Sequence, residues 1–114
     1  MKNLFDVKGH VVVITGGTGV LGRAIAKYLA EQGAKIAILG RKENVGNAIV
    51  EDIKQNGGEA SFYKTDVMNK EKLIKNREDI LSKYGRIDSL LNAAGGNMKG
   101  ATIGPDQNFF DLDP

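Results

Sequence analysis

Short apolar runs rich in β-branched residues recur along the chain and are typical of strands buried in a sheet. They occupy residues 10–14, 35–39, 59–67 and 87–91. Between them lie segments whose apolar residues recur every three or four positions, which is the period of an amphipathic helix. These helical segments cover residues 20–32, residues 45–53 and the stretch from Asn69 to Gly85, and a glycine follows or ends each of them. Strands that alternate with helices in this way predict βαβ crossovers and a parallel sheet.

The third helix is expected to bury one stripe of its surface against the sheet. This inner stripe is predicted to consist of Leu73, Ile74, Ile80, Leu81 and Tyr84. Arg77 falls on the same stripe, and we interpret it as a guanidinium that extends past the edge of the sheet.

The residues after the fourth strand differ in composition from those before them. A loop is predicted by Gly96, Gly100, Gly104 and Pro105. The pair Phe109-Phe110 that follows offers an apolar surface, and no later segment of this sequence could cover it. Asp113-Pro114 has the form of a helix N-cap followed by proline at the first helical position. We therefore expect that residues 96–114 are a loop and the start of a missing helix, that the chain is truncated after strand four, and that the open strand edge promotes homo-oligomers.

Composition and charge exclude several classes of protein. The 114 residues suit one domain, and 41% hydrophobic with 26% charged residues is ordinary for a soluble globular protein. Sixteen basic and fourteen acidic residues give a net charge of +2, with no basic stripe for nucleic acid. With no cysteine and the single histidine His10, no metal site is expected. The sequence has no signal peptide and no apolar run long enough to span a membrane, so a cytoplasmic protein is the default expectation.

A glycine-rich turn joins the first strand to the first helix, and Gly17, Gly19 and Gly22 satisfy G-x-G-x-x-G. The first glycine lets the backbone turn out of the strand, the second lets it approach a pyrophosphate, and the third allows close helix–strand packing. An ordinary glycine-rich turn would give the same letters, but the buried strand before this motif and the alanine-rich helix after it favour dinucleotide binding. No Gly-Lys-Ser/Thr follows, so a nucleoside triphosphate hydrolase is disfavoured.

The end of the second strand bears on which nicotinamide cofactor is bound. In dinucleotide folds an acidic residue about 20 residues beyond the glycine motif accepts from the adenosine ribose, whereas a nearby arginine accommodates a 2′-phosphate. Gly40 stands at this place and is followed by Arg41 and Lys42. This pattern favours NADP over NAD, although the two cations could simply be a solvated loop and Glu43 could take the ribose role.

Three motifs in order make the chain resemble a short-chain dehydrogenase/reductase. They are the turn from Thr15 to Gly22, the pair Asp66-Val67 after the third strand, and the run Asn92-Ala93-Ala94-Gly95 after the fourth. The resemblance implies a Rossmann-type α/β fold with strand order 3-2-1-4, in which residues 1–114 are the NAD(P)-binding N-terminal part of a larger dehydrogenase. The residues from Asn92 to Asn97 and from Phe109 to Asp113 most resemble the sugar-acid oxidoreductases of the D-mannonate oxidoreductase and fructuronate reductase branch.

The resemblance also implies roles for individual residues. The pyrophosphate would be held by the residues of the glycine turn, namely Thr15, Gly16, Gly17, Thr18, Gly19, Val20, Leu21 and Gly22. Arg41 would meet the ribose phosphate, and Asp66 and Val67 would hold the adenine. The small residues of the last run, Asn92, Ala93, Ala94 and Gly95, would lie against the nicotinamide ribose. For Asp66 a helix cap is the alternative, for which Asn69 is better placed, and for Asn92 the alternative is a buried amide that holds the sheet together.

The chain departs from the family pattern in two respects. The usual middle glycine stands at the position of Val20, whereas here it is Gly19, the spacing of the family's extended members. The family's catalytic serine and Tyr-x-x-x-Lys are missing, because Tyr28, Tyr63 and Tyr84 have no lysine four residues later. We therefore expect an oxidoreductase that transfers hydride between nicotinamide and a ketone or secondary alcohol, with its catalytic residues and substrate pocket outside this chain. The alternative is a non-catalytic module that senses NADP.

Overall fold

A computed structural model describes residues 7–16, 18–66 and 68–93, in which strands and helices alternate in the predicted order. The elements are strand β1 (Val11–Thr15), helix α1 (Val20–Glu31), strand β2 (Lys35–Gly40), helix α2 (Glu43–Gln55), strand β3 (Glu59–Lys64), helix α3 (Lys70–Tyr84) and strand β4 (Ser89–Asn92). The loop and helix start predicted within residues 96–114, including Phe109-Phe110, lie outside the described residues. None of the helices in the described part of the chain is long and apolar enough to cross a membrane.

The four strands form one sheet in the order β3-β2-β1-β4, and every pair is parallel. The predicted order is therefore confirmed. In the register of the sheet, Val13 lies between Ala37 of β2 and Leu90 of β4. Helix α1 connects the central strands β1 and β2, α2 connects β2 to the outer strand β3, and α3 crosses from β3 to the other outer strand, β4. All four carboxyl ends therefore meet at one edge.

Alternate residues of each strand enter two separate cores. Val12 and Ile14 of β1 pack with apolar residues of α1 and α2, whereas Val11 and Val13 pack against Leu73 and Ile80 of α3. Two helices thus cover one face of the sheet, and within the described residues α3 alone covers the other. Gly46 allows α2 to lie close to β3, because a Cβ at this position would overlap the Phe62 ring.

The inner stripe of α3 differs from the prediction. Leu73 and Ile80 are buried as expected, but Ile74 is 36% exposed and Asn76 is buried in its place. Positions 73, 76 and 80 follow the helical period of 3.6 residues, whereas Ile74 lies about 100° further round the helix. The apolar character of Ile74 predicted its burial, although the helical period places Asn76 on the buried side of the helix.

Two strand ends differ from the prediction by two residues or more, whereas the other ends agree to within one residue. Strand β3 ends at Lys64 and not at residue 67, because the Asp66 carboxylate Oδ1 accepts from the Met68 N–H at 2.9 Å and turns the chain toward α3. Strand β4 begins at Ser89 and not at residue 87. The Val11 N–H, which a longer ladder would use, donates instead to Asp88 Oδ2 at 2.7 Å.

Candidate functional site: a cleft at the carboxyl end of the sheet

A cleft of about 430 Å³ lies where the strands end and the helices begin. Its lining residues are Gly16, Thr18, Gly19, Val20, Leu21, Gly22, Leu39, Gly40, Arg41, Lys42, Thr65, Asp66, Met68 and Ala93. They come from the ends of all four strands and from the first turn of α1. A crevice outside the carboxyl ends of the strands is where open parallel α/β sheets bind their ligands.

The glycine turn leads the backbone from β1 into α1. Gly16 has a φ of 72°, a conformation that favours glycine, and its N–H donates to the Leu39 carbonyl at 3.0 Å. Gly19 follows as the extended N-cap residue of α1, and its carbonyl accepts from the Arg23 N–H at 2.9 Å. Gly22 is buried in the first helical turn. The sharp turn at the strand end is therefore made at Gly16, while Gly17 lies outside the described residues.

The N-termini of α1 and α3 are satisfied differently, although both lie at this end of the sheet. In α3 the Asn69 side chain accepts from the Lys72 N–H at 3.0 Å, which confirms Asn69 as the cap. Helix α1 begins at Gly19 without a side-chain cap and without an acidic residue in its first turn. Unpaired N–H groups and the positive end of the helix dipole are therefore directed at the cleft, an arrangement suited to an anion.

Two cations and no carboxylate follow strand β2 at the rim of the cleft. Arg41 and Lys42 are both exposed and both line the cleft. Glu43, the alternative ribose ligand, is exposed in the first turn of α2 and is not among the lining residues. Positive charge therefore lies at the rim of the cleft, directly after Gly40.

Asp66 lines the cleft just beyond the end of β3 and is held there by its own backbone. Its Oδ1 accepts from the Met68 N–H, and its main-chain carbonyl accepts from the Asn69 N–H at 2.8 Å. Met68 is 78% exposed beside it and lines the cleft. The bond to Oδ1 therefore orients the carboxylate, and its second oxygen, Oδ2, has no partner among the described residues.

Thr15 of β1 and Asn92 of β4 join these two neighbouring strands beneath the cleft. The Thr15 hydroxyl donates to Asn92 Oδ1 at 3.1 Å, and the Ala93 N–H donates to the Thr15 carbonyl at 2.9 Å. Thr15 is buried, and neither Thr15 nor Asn92 lines the cleft, whereas Ala93 does. The observed contacts of Thr15 and Asn92 are those of residues that hold the sheet together below the glycine turn.

A comparison with protein families identifies the family to which this chain belongs. The family model described as short chain dehydrogenase matches residues 10–111. The chain belongs to the short-chain dehydrogenase family. The chain spans about two fifths of the length of the curated relatives that it matches.

Three members of the short-chain dehydrogenase family illustrate the similarity. An uncharacterized oxidoreductase, UxuB, of Bacillus subtilis (strain 168) is 41% identical over 95% of this chain and 42% of its own length. A crystal structure from Haemophilus influenzae, described as a D-mannonate oxidoreductase with bound NAD, is 37% identical with a TM-score of 0.77 over 81% of this chain and 33% of that one. A metagenomic short-chain oxidoreductase in complex with NADP is 29% identical with a TM-score of 0.71, covering 75% of this chain and 38% of that one.

The residues predicted from the family motifs fall into three groups. The first group lines the cleft and comprises Gly16, Thr18, Gly19, Val20, Leu21, Gly22, Arg41, Asp66 and Ala93. Thr15 and Asn92 lie beneath it, and Gly17, Val67, Ala94 and Gly95 lie outside the described residues. Five further lining residues were not among the predicted ligands, namely Leu39, Gly40, Lys42, Thr65 and Met68. Their position at or just beyond the ends of β2 and β3 is the signal that could have indicated them.

The tyrosines of this short-chain dehydrogenase chain lie away from the cleft. Tyr28 is 56% exposed on α1, and Tyr63 and Tyr84 both bond to the Ser61 hydroxyl on the α3 face. Burial raises the pKa of Tyr63 and of Tyr84. A tyrosine acid/base needs a pKa lowered toward the working pH, so these environments act in the opposite direction.

Proposed function

We propose that the chain is the dinucleotide-binding, N-terminal part of a larger NAD(P)-dependent oxidoreductase. The observation that carries this proposal is the N-terminus of α1, which has no side-chain cap and opens into a cleft that Arg41 and Asp66 also line. The N–H groups suit a pyrophosphate, the guanidinium suits a phosphate, and the carboxylate suits an amino group. These are the three polar parts of the adenosine half of a nicotinamide dinucleotide.

The proposed roles follow the order of the residues around the cleft. Residues 16–22 hold the pyrophosphate with the buried Thr15 beneath them, Asp66 and Val67 hold the adenine, and the run from Asn92 to Gly95 lies near the nicotinamide ribose. When bound, the dinucleotide supplies the hydride that is exchanged with a ketone or secondary alcohol. This chain's own residues bind and orient it, while the groups that move the proton lie outside the chain.

NADP is the preferred cofactor in this proposal. Arg41 can form a bidentate pair with a 2′-phosphate, and Lys42 adds a second positive charge at the same rim. No acidic side chain stands at Gly40 to accept from a 2′-hydroxyl or to repel the phosphate. The similar solved structures include one with NADP and one with NAD, so the preference rests on these local residues.

A sugar acid is the proposed substrate class of the whole protein. The support is the likeness to the Haemophilus influenzae protein described as a D-mannonate oxidoreductase, at 37% identity. The substrate itself would be bound by residues beyond this chain. The 114-residue chain alone is therefore expected to bind cofactor and to catalyse nothing.

Competition calorimetry tests the binding proposal. The chain is titrated with NADPH alone and then in the presence of 2′,5′-ADP or of nicotinamide mononucleotide. Because the proposed contacts lie on the adenosine half, 2′,5′-ADP should compete with NADPH and nicotinamide mononucleotide should not. Absence of saturable NADPH binding to the folded chain would contradict the proposal.

Cofactor oxidation separates a binding part from a complete enzyme. The chain is incubated with NADPH and a panel of keto sugar acids, and absorbance should show no oxidation above background. Hydride transfer to a ketone leaves an alkoxide that needs a proton, and no tyrosine lines the described cleft. Steady oxidation that persists when Tyr28, Tyr63 and Tyr84 are all replaced by phenylalanine would show that this chain carries the chemistry. The alternative, a sensor module, would bind NADPH equally well, but the protein that contains it would have no Tyr-x-x-x-Lys.

Association of the chain with itself is a further part of the proposal. Within the described residues β4 pairs only with β1, and one helix covers the second face. A strand edge and a partly covered face favour pairing with another copy. Light scattering at high concentration should show dimers or larger species, and a clean monomer would contradict this expectation.

A further inference from the structure

The side chain of Thr18 occupies the space into which a side chain at position 40 would project. Gly40 is buried at the end of β2, and a Cβ built on it would lie 2.9 Å from Thr18 Cγ2 and 3.2 Å from Thr18 Oγ1. The first distance is shorter than real Cβ contacts allow, and the next neighbour, Phe62 Cε1, is at an ordinary 3.6 Å. Thr18, a residue of the glycine turn, is therefore the group that demands glycine at position 40.

Backbone conformation does not explain the glycine. The glycines with positive φ in the described chain are Gly9, Gly16, Gly33, Gly57 and Gly85. Gly40 is not one of them, since it continues the extended strand β2. Any L-residue could adopt this backbone, and the obstacle to a side chain is contact with Thr18.

Rotation of the Thr18 side chain cannot remove this contact completely. A threonine has two heavy atoms on Cβ, which fill two of its three staggered positions. Both positions that face Gly40 are filled, by Cγ2 and by Oγ1, and any rotation leaves one of the two filled. Relief requires either a shift of the glycine turn or the loss of a γ atom from residue 18.

We propose that Thr18 and Gly40 together set the cofactor preference, because Thr18 excludes the acidic side chain that NAD selection would require at position 40. This inference rests on the proposed function and extends it. The role of Arg41 is to attract a phosphate, whereas Thr18 blocks the alternative ligand of the ribose. A change of preference then needs two substitutions, one to provide the carboxylate and one to make room for it.

Four binding measurements test the pair in the 114-residue chain. Gly40→Asp alone should lower NADPH affinity at least about tenfold without a gain for NADH, because the carboxylate repels the 2′-phosphate and its Cβ displaces the glycine turn. Thr18→Ala alone should weaken both cofactors by similar factors, so that their affinity ratio stays within about threefold of the original. The double variant should bind NADH at least about tenfold more tightly than Gly40→Asp does and prefer it over NADPH. Equal NADH affinity of Gly40→Asp and the double variant would overturn the inference.

Thermal unfolding tests the contact without any ligand. Gly40→Ala adds only the Cβ and no charge, so it should lower Tm by at least about 5 °C through overpacking. Thr18→Ala/Gly40→Ala should recover most of that loss, and Thr18→Ser/Gly40→Ala should also recover part of it, since serine can turn its single γ atom away. An unchanged Tm in Gly40→Ala would show that Thr18 does not exclude a side chain.

The two arms distinguish failure of the inference from failure of the proposed function. A wild-type chain that binds neither NADPH nor NADH overturns the proposed function and the selectivity role together. The Tm measurements would still report whether Thr18 and Gly40 exclude each other. A Tm effect combined with NADH binding by Gly40→Asp alone would keep the proposed function and overturn only the role of Thr18 in selectivity.

Discussion

At the amino end of the sheet, the Asp88 carboxylate accepts from the Val11 N–H at 2.7 Å, whereas at the carboxyl end helix α1 begins at Gly19 without a side-chain cap. The amino end also has a smaller cavity of about 200 Å³, beside which the Asp52 carboxylate accepts from Asn56 and pairs with Lys27. These polar groups at the amino end are paired within the chain. At the carboxyl end the N–H groups of α1 and the exposed cations remain available to a ligand.

The difference separates residues that stabilise the fold from residues that bind. Substitutions at the carboxyl end should change dinucleotide affinity with little effect on unfolding, because these groups make few contacts within the chain. Substitutions at the amino end should do the reverse. Thr18 and Gly40 are the exception, since they combine a packing contact with a proposed ligand role.

The largest effect is expected from Gly19→Val. Gly19 has ordinary extended backbone angles, and the nearest atom to an added Cβ is the Gly16 carbonyl oxygen at 3.7 Å, so the fold should accept valine. The branched side chain would, however, keep a pyrophosphate away from the backbone. Calorimetry should show NADPH affinity reduced at least about 100-fold, or about 2.8 kcal/mol. Ala48→Val, which adds a branched side chain on the exposed face of α2, is the control, and unchanged affinity in folded Gly19→Val would place the phosphates elsewhere.

The next effect concerns stability at the amino end. Asp88→Ala removes the acceptor for the buried Val11 N–H and the partner of Arg86, whose Nε lies 3.1 Å from Asp88 Oδ1. Hydrogen bonds to charged groups contribute about 1.5–3 kcal/mol, and denaturant unfolding should reveal a loss of this order. NADPH affinity should not change. Asp79→Ala removes an exposed carboxylate that pairs with Lys75 on α3 and should have a much smaller effect. Equal losses in the two variants would contradict a special role for Asp88.

Acid unfolding provides a second measurement of the same carboxylate. Burial acts to raise the pKa of Asp88, but the bonds from Arg86 and from the Val11 N–H outweigh it, so the folded-state pKa lies below its ordinary value. A carboxyl group whose pKa is lowered by folding stabilises the fold at pH values above its unfolded pKa, about 3.9. This contribution is lost as the pH falls through the folded-state value. The stability difference between wild type and Asp88→Ala should therefore be constant above about pH 5 and shrink below about pH 4.

Arg41→Ala should have a smaller effect, confined to one cofactor. Arg41 is exposed and lines the cleft, so its loss should not affect unfolding. A charge-assisted bond to the 2′-phosphate should contribute about 1–3 kcal/mol to NADPH binding, with NADH affinity almost unchanged. Calorimetry with both cofactors measures the difference, and Lys64→Ala, an exposed cation outside the lining residues, is the control. Equal losses for NADPH and NADH would remove the NADP assignment.

The sequence predicted the elements, their order and the glycine turn because each depends on local pattern. Buried apolar strands, glycines after helices and Asn69 as a cap are signals within a few residues of the structure they specify. The prediction that Ile74 belongs to the inner stripe was wrong because the apolar character of this side chain and the period of the helix disagree at this position. The family motifs indicated most of the described cleft residues.

Contacts between distant segments could not be predicted in the same way. Thr18 lies next to Gly40 only because β1 and β2 are neighbours in register, and Asp88 reaches Val11 only because β4 pairs with β1. The absence of an acidic residue at position 40 was visible in the sequence, but the close contact with Thr18 at this position was not. Thr65 and Met68 line the cleft because they follow β3 at the carboxyl edge of the sheet, a position that the sequence motifs do not mark.

The smallest effect is expected from Lys27→Met, which removes an ion pair from the amino end while keeping the length of the side chain. Lys27 Nζ lies 2.8 Å from Asp52 Oδ2 and links α1 to α2, but the two side chains are 42% and 45% exposed. The bond from Lys27 lowers the pKa of Asp52, so the pair contributes above the ordinary aspartate pKa and ceases to contribute as the pH falls.

Solvent screens a pair that is nearly half exposed, and ordering two long side chains offsets much of the attraction between them. Lys27→Met should therefore shift Tm by no more than about 3 °C, and 1 M salt should abolish even that difference. Lys83→Met, an exposed lysine in the last turn of α3, controls for the loss of one positive charge. A loss of stability as large as that of Asp88→Ala would mean that surface pairing, and not the buried bond to the Val11 N–H, stabilises this end of the sheet.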